Sequence, residues 1–234
     1  MNQNIKVQTH TSTSFTEPRS NSGHISITEK FFYGSGSMAL AVKNVSFNMF
    51  VLLFYMQVLG LSGTLTGLAI FVSVMWDAIS DPIIGSWSDR LRTRLGRRHP
   101  MLIVGAIPLG LSFVMIFSPI EAVQGTQWPL FTWLLVSVIL LRTFLTTIVI
   151  PHGAMGAEIT DDYAERTSIV SYRTNIAWIA GMLLPVIALP VLFSTTNGQD
   201  GRFIIDNYIL YGWVCCAIII IFCFACVGGT WRFI

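Results

Sequence analysis

The sequence predicts an all-α membrane protein with six transmembrane helices, and three observations carry that class. Apolar residues make up 53% of the 234, while charged residues make up only 11%, against about 25% in a typical soluble domain. Six apolar segments, at about 33–60, 63–87, 100–118, 129–153, 168–193 and 207–229, are each long enough to span a bilayer. Lys and Arg collect in alternate links between them. Open sheet edges cannot face lipid, so the segments are helices.

Residues 1–30 are rich in Asn, Gln, Ser, Thr and His and hold no apolar run. They fit neither a signal peptide nor a packed fold and read as a disordered cytoplasmic tail, leaving 31–234 as the six-helix domain. The first link, near Gly60–Gly63, carries no Lys or Arg, whereas the second, Asp89 to Pro100, holds Arg90, Arg92, Arg94, Arg97 and Arg98. The third, Ser118–Gln127, again has none; the fourth has Arg166 and the fifth only Arg202. With Lys6, Arg19 and Lys30 in the tail, the positive-inside rule puts the N-terminus in the cytoplasm. A net charge of +2 gives no argument for nucleic acid. Cys215, Cys216, Cys223 and Cys226 all lie in the sixth segment; without a partner His or second pair they read as helix-packing residues. Asn44-Val45-Ser46 matches a glycosylation acceptor but falls inside a span.

Four charges cannot be placed outside the hydrocarbon: Lys43, Asp77, Asp81 and Arg142. At 1.5 Å per helical residue Lys43 and Asp77 lie about 15 Å from the cytoplasmic side, Asp81 one turn nearer it, and Arg142 about 20 Å from the outside. Each acid in a span costs about 2.5–3.5 kcal/mol on insertion scales, so it faces protein or water, and a functional role is the default reading, with buried structural ion pairs as the alternative. In Trp76-Asp77-Ala78-Ile79-Ser80-Asp81-Pro82 the two carboxylates share one helix face, one turn apart. Desolvation and mutual repulsion both disfavour two bare charges there, so the pair should hold a proton or a cation. Carboxylates with the Ser80 hydroxyl and a hydroxyl from a neighbouring helix suit a hard cation or a proton. Pro82 removes a backbone donor and is expected to kink or open the second helix near Ala78, unless it is a bland kink. His152 has no identifiable partner and is expected to meet cytoplasmic water. Trp76, Trp133 and Trp178 are expected to pack against lipid or core, with stacking on a ligand as the alternative. No nucleophile–base pair, metal cluster or phosphate loop is present, which argues against an enzyme and against any cofactor.

The stretch from Tyr33 to Arg173 resembles the glycoside–pentoside–hexuronide:cation symporters, the melibiose-permease-like branch of the major facilitator superfamily. The matching pieces are Tyr33-Gly34-x-Gly36, Phe54-Tyr55-x-x-Val58-Leu59-Gly60-Leu61-Ser62, Trp76 to Gly85, Ser88-Asp89-Arg90-x-Arg92-Thr93-Arg94-x-Gly96-Arg97-Arg98-x-Pro100, Pro151, and Glu165 to Arg173. The resemblance implies a secondary active transporter of a sugar or glycoside, driven by Na+ or H+ through alternating access, in a bacterial inner membrane. It implies that Asp77 and Asp81 bind the coupling cation, with Ser80 at the family's usual Asn position and Thr146 adding a hydroxyl. Any metal would be Na+ at Asp77 and Asp81. It places Arg173 near the sugar, and makes Asp89, Arg90, Gly96, Arg97 and Arg98 a gating loop. Asp89 near a helix end can anchor the arginines and Gly96 permits a tight turn.

The departures matter too. The family's acidic sugar anchors fall at Ala41 and Val149, and the arginine usually found three residues before Asp77 is Val74, while Arg142 brings a cation on another helix. The substrate contacts are therefore expected to be rewritten, with Lys43, Arg142 and Arg173 available to an anionic sugar. Such symporters have twelve helices in two halves, so the chain reads as the N-terminal half. The partner half is a C-terminal continuation, a separate chain or a second copy. The alternatives are a proton-coupled carrier of a non-sugar solute and a non-transporting six-helix fragment or assembly partner.

Overall fold

The computed structural model describes residues 25–91, 93, 96, 98–195 and 198–233. Most of the proposed tail lies outside these residues, but its end does not. Ser26 caps a short helix, α1 (Ile27–Ser35): its hydroxyl accepts from the Thr28 amide while Glu29 accepts the Ser26 amide at 2.9 Å. Residues 27–30, assigned to the tail from composition, are thus helical. Lys30 is buried and pairs with Glu165 at 2.6 Å.

Six further helices are long and apolar enough to cross a membrane: α2 (Met38–Val58), α3 (Gly63–Arg90), α4 (His99–Phe117), α5 (Gln127–Glu158), α6 (Tyr163–Leu192) and α7 (Ile205–Gly229). They follow the six apolar segments in order, their ends shifted by a few residues. α2 is irregular: after Val45 it widens into π turns at Ser46–Val51 and Phe54–Val58. Gly36, between α1 and α2, is required by a close approach, since a Cβ there would lie 2.7 Å from His152 and 2.9 Å from the Cys226 sulfur. α3 runs through Pro82 as one helix, so the expected opening at Ala78 is not seen. A proline in mid-helix costs the Ala78 carbonyl its donor without ending the helix.

Neighbouring helices pack in the order α3, α5, α4, α7, α2, α6, with α1 against α6 and α7. α3 and α6 are therefore edges: only 22% and 6% of their apolar stretches are buried, against 56% for α4. The centre is an apolar core, with an aromatic cluster of Phe50, Phe54, Phe117, Phe193, Tyr208 and Tyr211 joining α2, α4 and α7. Its hydroxyls are satisfied: Tyr211 bonds Ser46 at 2.8 Å and Tyr208 donates to the Arg202 carbonyl at 2.8 Å. The four cysteines are buried in α7, and Cys216 packs against Gly110 of α4.

α3 and α5 run parallel in a fixed register. The Ser62 amide donates to Gln127 at 2.9 Å, Asp77 meets Arg142, and Asp81 meets Thr146, each at a separation of 65 residues. Gly85 beside Ile150 keeps the same spacing.

Candidate functional site

The register puts both carboxylates against α5. Residues four apart share a helix face on both helices, so two rungs form one turn apart. On the first, Arg142 Nη1 and Asp77 Oδ2 form an ion pair. On the second, the Thr146 hydroxyl donates to Asp81 Oδ1 at 2.9 Å. Asp77 Oδ1 is buried without a hydrogen-bond partner in the structure, and so is Arg142 Nε. A buried carboxylate oxygen with no donor is costly, and a hard cation or a proton there would satisfy it. The donor set, two carboxylates and a hydroxyl, fits such an ion. Ser80 is buried, but its hydroxyl turns to the Asp77 carbonyl at 3.5 Å rather than to a carboxylate. Trp76 joins the wall from the neighbouring position, donating its indole N–H to Thr143 at 2.8 Å.

Lys43 and Arg142 converge on Phe47, a residue without a sequence signal. The Lys43 Nζ lies 5.6 Å and the Arg142 Cζ 5.9 Å from its ring centre, within cation–π range. Neither cation lines the pocket that holds Arg173. That pocket, about 590 Å³, lies between α2 and α6 with α5 behind it. Ala41 and Val149, at the positions of the acidic anchors of the symporters this sequence resembles, both line it, and no carboxylate is among its lining residues. Asn44, Asn48, Thr174 and Arg173 supply polar groups, while Met49, Trp178 and Met182 supply apolar surface. Of the three cations expected at the substrate, only Arg173 lines this pocket.

His152 differs from expectation. It is buried, its ring stacks on Tyr33 at 4.5 Å, and its Nε2 lies 2.8 Å from the Tyr33 carbonyl. A carbonyl only accepts, so Nε2 carries the proton. Tyr33 returns a bond from its hydroxyl to the His152 carbonyl at 3.0 Å. The sequence search missed this partner because it comes from α1, outside the segment that holds His152.

At the arginine-rich end Arg98 is the hub. Its guanidinium donates to Ser88 at 2.7 Å, to Asp89 at 2.8 Å and to Glu158 at 2.8 Å. Burial disfavours its charge, but the bonds it donates to Glu158 and Asp89 outweigh that and raise its pKa above the ordinary value. Glu158 of α5 is an addition to the loop read from sequence. Gly96 adopts φ of +77°, a left-handed turn held by its amide bond to the Thr93 carbonyl at 3.1 Å. Arg90 is exposed, and Arg97 lies outside the described residues.

A family model described as MFS/sugar transport protein matches residues 32–233. The chain is 31% identical over 169 residues to the inner membrane symporter YicJ of Escherichia coli, covering 72% of this chain and 36% of that protein. It is 33% identical over 177 residues to the putative glycoside/cation symporter YagG of Escherichia coli, covering 75% and 38%. To the sodium-dependent lysophosphatidylcholine symporter 1-A of Danio rerio it is 28% identical over 155 residues, covering 65% and 28%. The matched stretch is thus little more than a third of the bacterial relatives' length. These relatives are transporters, not enzymes. The match runs from within α1 through α7, across all six apolar helices, and this integral membrane chain belongs to the MFS/sugar transport protein family.

Proposed function

We propose that the chain is the N-terminal six-helix half of a symporter that couples entry of a sugar or glycoside to a cation, Na+ or H+, by alternating access. The carrying observation is the two-rung face where Asp77 and Asp81 meet α5 beside an unpartnered carboxylate oxygen. Asp77, Asp81 and Thr146 would hold the ion, with Ser80 shaping the helix behind them. Ion binding neutralises the pair and favours the state that accepts substrate. The sugar would lie in the α2–α6 pocket, with Arg173 at its polar side. The lack of a carboxylate there supports a neutral or acidic sugar over an amine. The bare edges of α3 and α6 are where a second six-helix half would close the path, whether a continuation, a separate chain or a second copy. The arginine-rich end would face the cytoplasm of a bacterium, with the N-terminus on that side. The Asp89, Arg98 and Glu158 cluster would act as a latch for one state.

Uptake into vesicles containing the complete assembly, with and without Na+ and pH gradients, tests the reading. Asp77→Asn and Asp81→Asn should each abolish gradient-driven accumulation; normal accumulation in both would remove the coupling assignment. The apolar residues at Ala41 and Val149 favour a second reading, a proton-coupled carrier of an amphipathic non-sugar solute. Competition of labelled sugar by such solutes separates the two.

A further inference from the structure

Arg142 has no role in the reading above, yet it sits on the face where the ion would bind. Its guanidinium pairs with one oxygen of Asp77, and the other oxygen is buried and unpartnered. The Arg142 Nε is likewise buried without a partner, so the side chain is held at one end only. While paired with Asp77 it already borders the Phe47 ring, its Cζ 5.9 Å and the Lys43 Nζ 5.6 Å from the ring centre. Asp81, by contrast, takes only a neutral hydroxyl from Thr146.

An alkali cation shared by Asp77 and Asp81 would share Asp77 with a guanidinium of the same charge. The two cannot both neutralise one carboxylate, because like charges a few ångströms apart repel. We propose that Arg142 is a tethered counter-cation that competes with the coupling ion for Asp77 and thereby sets how much ion is needed. Ion binding then releases the guanidinium toward Phe47, so occupancy of the carboxylates is transmitted from α5 to α2. This rests on Asp77 and Asp81 being the cation site.

The test is Na+ titration of the purified protein, read as thermal stability, with choline chloride holding ionic strength constant. A ligand that binds only the folded state raises its stability with concentration. Arg142→Gln should lower the half-saturating Na+ concentration at least tenfold. Arg142→Lys, which keeps the charge but loses the planar fork, should lower it by about threefold and serves should Arg142→Gln not fold. An unchanged or weaker response in the variants that fold, or no Na+-specific response at all, overturns the proposal. Asp77→Asn and Asp81→Asn should erase the Na+-specific response. If they leave it intact, the cation site itself is misassigned; if they erase it while Arg142→Gln changes nothing, only the role of Arg142 fails.

Discussion

The two polar regions of the bundle are built in opposite ways. Between α3 and α5 the charges are dense and already engaged, Asp77 with the buried Arg142 and the more exposed Asp81 with Thr146. Between α2 and α6 the pocket carries one positive charge, Arg173, among amides, hydroxyls and apolar surface. In the proposed reading the first region takes the ion, with Arg142 and Thr146 as the partners of its two acids. The second region, in the same reading, takes the larger solute, with Arg173 as the charge that lines it. Under that reading ion recognition and solute recognition fall on different helix pairs, joined through α2 and α5.

That division can be broken from either side. The largest expected effect is at the pocket: Arg173→Gln should weaken binding of an acidic sugar at least tenfold and of a neutral sugar little, as equilibrium binding would measure. Its ion dependence should stay as in the unmodified protein. Next, Thr146→Val removes one hydrogen bond to a carboxylate, worth about 1 kcal/mol or somewhat more. It should raise the ion concentration for half-maximal uptake about fivefold while leaving the dependence on solute unchanged. A matching change in both dependences would show that the two regions act as one site. The smallest effect is expected at Trp178, whose ring borders the pocket but is largely exposed. Aromatic contacts are worth about 0.5–1.5 kcal/mol, so Trp178→Ala should weaken sugar binding by about threefold.

The contrast also marks how far the sequence could be read. A charge within an apolar run is a one-dimensional signal, so the helices and the pair Asp77 and Asp81 were legible directly. Relative height along the bundle was legible as well, because each helical residue adds a fixed rise. Lys43 and Arg142, placed by counting at mid-depth, do converge on one ring. Azimuth was not. Which side of α2 or α5 a residue occupies depends on packing between helices distant in sequence and, in α2, on π turns with no residue signature. Lys43 and Arg142 therefore looked available to a substrate and instead lie outside the α2–α6 pocket. His152 looked solvated for the same reason, since its partner Tyr33 is on another helix. The start of α1 is a different kind of miss. Ser26-Ile27-Thr28-Glu29 is a capping-box pattern, present in the sequence but hidden in a stretch rich in Ser and Thr.

The shared spacing of α3 and α5 has a consequence for how such a chain can change length. The pair is pinned at the N-terminal ends of both helices, where Ser62 meets Gln127, and the acids lie further along α3. One residue added in the links flanking α4 shifts the numbering and leaves every pair facing. One residue added between Ser62 and Asp77 swings both acids by about 100° around the axis, off Arg142 and Thr146 and toward the greasy exterior. Length drift is thus tolerable in the connections and forbidden in that stretch, which behaves as a ruler.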